Sequence, residues 1–221
     1  MRTEYVATPA GDARLLIHEA SGQPHATLVL GHGASGGSGA RDLMALASAL
    51  PAIGVTVVRF EQPFVVAGRK VGPRPQTLDE AWLAAMPQVP VAGTLFIGGR
   101  SAGARVACRT AGAVGAAGVV ALAFPLHPPG KPEKSRFAEL AGAGVPTLVV
   151  QGENDTFGRP GEFRPGSFQL VAAPHANHSM AVPKAHDQRG TLETVVAAVR
   201  DFLTAHTPAG MERASGDVPL T

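Results

Sequence analysis

Short apolar runs recur along most of the chain and predict buried β-strands. Six of these runs are nearly continuous in apolar character, at residues 26–30, 55–59, 93–97, 118–122, 145–150 and 168–172. Strands of this kind are typical of a sheet that is covered on both faces. Nearer the N-terminus, residues 6–8 and 14–19 flank Gly11-Asp12 and predict a small hairpin.

Helical patterns alternate with these runs, at about residues 41–50, 78–86, 102–111, 136–141 and 191–204. The segment Thr77-Leu-Asp-Glu80 is a capping box, which predicts the start of the second helix. The last helix repeats apolar residues at the period of one helix face. The alternation predicts an α/β fold with a mostly parallel twisted sheet, helices on both faces and a ligand site at the carboxyl ends of the strands.

Length and composition are consistent with one packed domain. A chain of 221 residues can bury a sizeable core, and we assign residues 1–205 to the domain and residues 206–221 to a flexible, turn-rich C-terminal tail. With 45% hydrophobic and 16% charged residues, the chain as a whole is not intrinsically disordered. The net charge of +2 comes without a long basic run, so we expect no nucleic-acid partner.

The single cysteine, Cys108, excludes an internal disulfide and favours a reducing compartment. No apolar run has the length of a signal peptide or of a membrane span. We therefore expect a soluble, cytoplasmic protein without a membrane partner.

Two glycine motifs compete for a function. Gly31-His-Gly-Ala-Ser-Gly36 follows a predicted strand and matches G-x-G-x-x-G, with Glu61 after the next strand, as in a dinucleotide-binding fingerprint. The next predicted helix begins only near Arg41, so its N-terminus would not meet a pyrophosphate held by these glycines. Nucleotide binding is therefore the less favoured interpretation.

The second motif, Gly99-Arg-Ser101-Ala-Gly103, lies between a predicted strand and a predicted helix, the context that a nucleophile elbow requires. A serine hydroxyl needs a base to accept its proton, and the base needs an orienting carboxylate. Asp155 and His178 follow the last two predicted strands and complete the chain order of serine, acid and histidine. Glu153 is an alternative acid and His175 an alternative base.

The loop after the first long strand supplies a further element of such a site. An oxyanion needs two donors, and in this architecture they are the backbone N–H after the nucleophile and one from an earlier loop. These are the amides of Ala102 and Ala34. His32, His175 and His178 lack the spacing of a metal site, so we expect neither a metal nor another cofactor.

Together, these motifs make residues 13–204 resemble the α/β-hydrolase superfamily. Residues 124–133 and 59–64 resemble, more narrowly, a dienelactone-hydrolase-like branch. That branch includes a testis-expressed protein and a subunit of the non-specific-lethal histone acetyltransferase complex. The resemblance implies an α/β-hydrolase fold without a large cap domain and a catalytic triad of Ser101, Asp155 and His178.

The chain departs from the pattern of this branch at three positions near the serine. The resemblance leads us to expect lysine, methionine and glycine where the chain has Arg100, Ala102 and Ala104. Dienelactone hydrolases proper tend to use a cysteine nucleophile, whereas Cys108 lies well inside a predicted helix. That specific activity is therefore not expected.

Other residues are candidates for lining the substrate site, namely His32, Gly33, Arg100, Leu126, His127 and Met180. His127 could instead stabilise its proline-rich loop. A basic loop at residues 69–74 either holds an anionic substrate group or is simply solvated.

The sequence thus predicts a serine hydrolase that acts on a small-molecule ester or thioester. The alternative from a different class is a hydrolase-fold module that binds a protein partner and whose triad is idle.

Overall fold

In the computed structural model, which describes residues 1–34 and 37–208, eight strands form one sheet. They are β1 Arg2–Thr8, β2 Gly11–His18, β3 Ala26–Gly31, β4 Val55–Glu61, β5 Thr94–Arg100, β6 Gly118–Leu122, β7 Thr147–Gly152 and β8 Gln169–Ala173. All six predicted core strands and the predicted N-terminal hairpin are present, with ends that differ by a few residues.

The strand order across the sheet is β1-β2-β4-β3-β5-β6-β7-β8. The hairpin β1–β2 is antiparallel and pairs antiparallel with β4, whereas β4, β3, β5, β6, β7 and β8 run parallel to one another. The carboxyl ends of these parallel strands therefore meet at one edge of the sheet, where ligand sites of such folds lie. At this edge Gly31 of β3 pairs in register with Gly99 of β5.

Six α-helices are found in the described residues. They are α1 Arg41–Ala49, α2 Pro63–Val66, α3 Pro75–Ala85, α4 Ala102–Thr110, α5 Phe137–Ala141 and α6 Gln188–His206. Short 3₁₀ turns occupy Gly37–Gly39, Leu50–Ile53, Met86–Gln88 and Pro160–Glu162.

The helices cover the two faces of the sheet and close two hydrophobic cores. Successive residues of a strand point to opposite faces, so Leu28 of β3 packs in the core beneath α1 and α6, while Val29 packs in the core beneath α3, α4 and α5. Every residue of β3 and β4 is buried. The fold class predicted from the sequence, including the absence of a large cap domain, is confirmed.

Strand β8 is buried less than its sequence predicts. Only Ala173 of its five residues is buried, and Leu170 is 36% exposed. The reason is position, because β8 forms one edge of the sheet and pairs only with β7.

Helix boundaries differ from the prediction where proline determines the first turn. Helix α3 begins at Pro75 and not at residue 78, because proline needs no N–H partner in the first turn and its fixed φ suits a helix. Thr77, predicted as the cap, therefore lies inside the helix. The short α2, which sequence patterns did not indicate, also begins with a proline, Pro63.

Helix α6 is longer than predicted at both ends. Its N-cap is Asp187, whose side chain accepts a hydrogen bond from the backbone N–H of Arg189. It ends at His206, one residue beyond the predicted end of the domain, and residues 209–221 of the predicted tail lie outside the described residues. Within the described part of the chain, no helix combines the length and apolar character needed to cross a membrane.

Candidate active site

Ser101 lies in the sharp turn between β5 and α4 and has a positive φ of 54°. A non-glycine residue in this region costs about 1–3 kcal/mol, so the surrounding structure must hold it in place. The Ser101 N–H donates to the carbonyl of Leu122 at 3.0 Å, and its own carbonyl accepts from the N–H of Arg105 at 3.2 Å. Both ends of the turn are thereby anchored.

The two glycines of the motif are required by close backbone packing. A Cβ atom on Gly99 would lie 2.4 Å from the carbonyl oxygen of Gly31, and a Cβ on Gly103 would lie at the same distance from that oxygen. Such distances are not tolerated between real atoms. Helix α4 can therefore begin directly against the end of β3 only because these side chains are absent.

A chain of hydrogen bonds links three of the predicted site residues. The Nε2 atom of His178 lies 3.0 Å from Ser101 Oγ, and its Nδ1 atom lies 2.8 Å from Oδ2 of Asp155. An ionised carboxylate only accepts hydrogen bonds, so Nδ1 carries the proton and Nε2 is free to accept the serine hydroxyl. The structure brings Ser101, His178 and Asp155 together in the order that general-base activation of serine requires.

Asp155 is fully buried and its orientation is determined by two further donors. The backbone N–H of Phe157 donates to Oδ1 at 2.8 Å, and Nε2 of Gln151 donates to Oδ2 at 2.9 Å. The Phe157 ring stacks on the His178 imidazole, with centroids 4.1 Å apart. Sequence patterns did not indicate Gln151 or Phe157, because no motif marks them.

The competing acid and base pair with each other. Glu153 Oε2 accepts from the backbone N–H of His175 at 2.8 Å, and both side chains are about half exposed, at 46% and 49%. The His175 ring stacks on His186. In the described residues, the histidine within hydrogen-bonding distance of Ser101 Oγ is His178 and not His175.

The loop that carries Ala34, one of the two predicted oxyanion donors, contacts the serine turn. A Cβ on Gly33 would be only 3.4 Å from the Cβ of Ser101, so the loop after β3 contacts the elbow directly. Ala34 and Ala102 line the same small pocket. Ala102 occupies the first position of α4, where a backbone N–H has no partner within the helix. Residues 35–36 of this loop lie outside the described residues.

His32 holds this loop in place. Its Nε2 accepts from the backbone N–H of Gln62 at 3.0 Å, and its Nδ1 donates to the carbonyl of Gly33 at 2.6 Å. The side chain is buried, and burial lowers the pKa of His32. His32 also lines the small pocket beside this loop, but both of its nitrogens bind backbone groups of the protein. These contacts position the loop that carries Gly33 and Ala34.

Arg100 is also engaged by contacts within the protein. Its Nε donates to Oδ2 of Asp42 at 3.1 Å, and a terminal guanidinium nitrogen donates to the backbone carbonyl of His178. Asp42 is fully buried; burial raises the pKa of its carboxyl, and the charge of Arg100 opposes that increase. Arg100 therefore ties α1 to the segment that carries His178.

The remaining candidate lining residues are largely buried. Met180 is fully buried and belongs to the core beneath α6, and Leu126 is 4% exposed. His127 donates to the carbonyl of Pro128 at 2.9 Å and to Glu162 at 3.0 Å. These acceptors raise the pKa of His127. Of its two predicted roles, these contacts correspond to stabilisation of the loop.

The geometry does not support a cysteine nucleophile or the nucleotide-binding interpretation. Cys108 is buried in α4, and burial raises its pKa to about 12, so it remains a thiol at neutral pH. Glu61, the acid of the nucleotide fingerprint, accepts a hydrogen bond from the Ser38 hydroxyl at 2.6 Å and forms an ion pair with Arg14. Among the described residues, no cluster of histidine, cysteine, aspartate or glutamate could hold a metal ion.

Comparison with known families agrees with this geometry. The model of the alpha/beta hydrolase domain family matches residues 24–204, and the chain therefore belongs to that family.

Solved structures share its fold at low sequence identity. An α/β serine hydrolase without a lid from Xanthomonas campestris is 18% identical, with 91% of this chain and 94% of that chain covered and a TM-score of 0.67. Est1E from Butyrivibrio proteoclasticus, with ferulic acid bound, is 16% identical, with coverage of 92% and 98% and a TM-score of 0.69. A dienelactone hydrolase from Anabaena variabilis is 15% identical, with coverage of 94% and 98% and a TM-score of 0.68.

The contact between Arg100 and the carbonyl of His178 leads to a prediction for turnover. Lysine at position 100 keeps a positive charge near Asp42 but cannot reproduce the planar guanidinium that reaches both partners. We expect Arg100→Lys to keep most of the stability while lowering kcat by up to about 10²-fold with little change in KM, because His178 is misplaced. Arg100→Met should also lower stability, since it leaves the Asp42 carboxylate buried without its partner. Equal kcat values for Arg100→Lys and the wild type would contradict this role.

The buried, neutral His32 leads to a prediction for stability. Because its pKa is lowered in the folded state, the unfolded chain binds more protons below the ordinary histidine pKa of about 6.5, and stability falls as the pH decreases through this range. One such histidine contributes up to about 1.4 kcal/mol per pH unit. Urea unfolding at pH 7 and pH 5 should therefore show a smaller loss of stability for His32→Gln than for the wild type. An equal loss of unfolding free energy in the wild type and in His32→Gln would show that His32 is not a source of the pH dependence.

Proposed function

We propose that this protein is a serine hydrolase that cleaves a carboxylic ester or thioester through an acyl-enzyme intermediate. The observation that carries the proposal is the hydrogen-bonded chain from Ser101 through His178 to Asp155, with distances of 3.0 and 2.8 Å. Both distances are short enough for proton transfer from the serine and for fixing the orientation of the base.

In the first half of the reaction, Ser101 Oγ attacks the carbonyl carbon of the substrate while Nε2 of His178 takes the serine proton. The carbonyl oxygen becomes an oxyanion, to which the N–H groups of Ala34 and Ala102 donate hydrogen bonds. The intermediate then collapses, and His178 gives the proton to the departing alcohol or thiol. The acyl group remains on Ser101 as an ester.

In the second half, a water molecule loses a proton to His178 and attacks the acyl carbon. The carboxylic acid leaves, and His178 returns the proton to Ser101 Oγ. Asp155 stabilises the imidazolium that forms in both halves. The loss of one oxyanion donor typically costs about 10²- to 10³-fold in rate, which accounts for the close fit of the loop around Gly33.

The relatives support ester chemistry without identifying the substrate. Est1E is described with bound ferulic acid, and another neighbour is a dienelactone hydrolase. We infer that the substrate of this chain is a small ester or thioester that reaches Ser101 without a large cap domain above it. The residues that carry this chemistry lie within the proposed domain of residues 1–205. The narrower relation to the dienelactone-hydrolase-like branch also remains a proposal.

A hydrolase-fold interaction module with an idle triad is the less supported alternative. Such a module would not need a serine at hydrogen-bonding distance from a histidine, nor a buried carboxylate with donors on both oxygens. Ser101 lies at hydrogen-bonding distance from His178, and both oxygens of the buried Asp155 carboxylate accept hydrogen bonds.

Replacement of the nucleophile tests the proposal directly. A fluorophosphonate probe should label the wild-type protein, and Ser101→Ala should abolish labelling and lower the hydrolysis of p-nitrophenyl acetate by at least about 10³-fold. The reason is that, among the described residues, the hydroxyl within hydrogen-bonding distance of His178 Nε2 is that of Ser101. Undiminished labelling or hydrolysis in Ser101→Ala would overturn the assignment.

Matched variants distinguish the site from its neighbours. His178→Ala should lose activity, whereas His175→Ala, which removes an exposed imidazole three positions away, should retain it. Asp155→Asn and Glu153→Gln form the equivalent pair for the acid. Ser21→Ala, at an exposed position before β3, controls for the general effect of removing a hydroxyl. Activity that depends on His175 and not on His178 would reject the assigned base.

A further inference from the structure

An apolar groove of about 660 Å³ runs between α1 and α6. None of its lining residues belongs to the hydrogen-bonded chain at Ser101. Its apolar lining consists of Ala45, Ala49, Leu192, Val196 and Ala197. Small side chains on α1 and larger ones on α6 leave space for an apolar side chain from outside.

Three charged residues of α6 line this groove, and two of them, Glu193 and Arg200, lie at equal sequence distances from its middle, whereas the third, Arg189, pairs with Glu193. Glu193, Val196, Ala197 and Arg200 are three, four and seven positions apart, so they lie on one face of the helix. Glu193 and Arg200 are exposed and line the groove on either side of the central pair. Opposite charges therefore stand at equal distances from the centre of an apolar stripe.

We propose that this face pairs with a second copy of the same chain, with the two α6 helices antiparallel. A two-fold axis between Val196 and Ala197 places each Glu193 opposite Arg200 of the second copy, and the two contacts are identical by symmetry. Val196 and Leu192 of each copy then face the groove of the other. Ala45 and Ala49 leave the space that these side chains need.

The charge pattern favours a second copy over other partners. A strongly acidic or basic partner would leave one of Glu193 and Arg200 opposite a like charge, whereas a second copy satisfies both. Each residue also has an ion pair within its own chain, Glu193 with Arg189 and Arg200 with Asp201, both at 2.8 Å. Exposed pairs of this kind contribute less than about 1 kcal/mol, so they do not oppose the new contacts strongly.

Charge reversal at Glu193 and Arg200 tests this interface, because each single reversal should weaken the dimer and the two reversals together should recover it. In sedimentation velocity from about 1 to 100 µM, the wild type should form a dimer, while Glu193→Arg and Arg200→Glu should each shift the equilibrium to monomer, because each places like charges opposite one another twice. The double variant should recover the dimer. An equimolar mixture of the two single variants should form a heterodimer, since every cross-contact is then attractive.

Other results would overturn the proposal. Glu80→Arg, a charge reversal on α3, serves as the control and should remain dimeric, and all variants should keep wild-type esterase activity per chain. A wild type that stays monomeric over the whole range contradicts the interface, whatever else occupies the groove. So does a mixture of the single variants that fails to associate while the wild type is a dimer.

Discussion

The candidate site depends on the close backbone packing of the end of β3 against the end of β5 and the start of α4. Gly99 and Gly103 each face the carbonyl oxygen of Gly31 at a distance where no Cβ could fit. This contact allows the chain to turn sharply at Ser101, in a conformation that is otherwise unfavourable, and directs the hydroxyl away from the packed strands. It also brings the loop around Gly33 beside the serine, so that one steric constraint shapes both the proposed nucleophile position and the proposed oxyanion site.

Buried polar contacts then orient the groups around this turn. Asp42 holds Arg100, and Arg100 reaches the carbonyl of His178, so a helix on one face of the sheet is linked to the proposed base. Gln151 and Phe157 act on the other side, where they determine the orientation of Asp155. A buried carboxylate without a partner lowers stability strongly. The carboxylates of Asp42 and Asp155 accordingly each have hydrogen-bond partners.

Local patterns were sufficient to predict the strands, most helices and the order of the proposed triad residues. Apolar runs identify buried strands because packing on both faces leaves few alternatives, and G-x-S-x-G identifies the elbow because its steric demand is local. The link from Arg100 to Asp42 could not be predicted, since the two residues are distant in the sequence and no motif joins them. Three further features also depend on the tertiary structure and were not predicted. They are the start of α3 at Pro75, the exposure of the edge strand β8 and the contacts of Gln151.

The central claim is that Ser101 carries the acyl group during turnover. Rapid mixing with p-nitrophenyl acetate, an acid quench and mass spectrometry of the digested protein measure this directly. We predict a burst of about one equivalent of nitrophenol and one acetyl group on the peptide that contains Ser101. Ester hydrolysis accompanied by an acetyl group on another residue, or by a burst without any acetyl group on Ser101, would contradict the account.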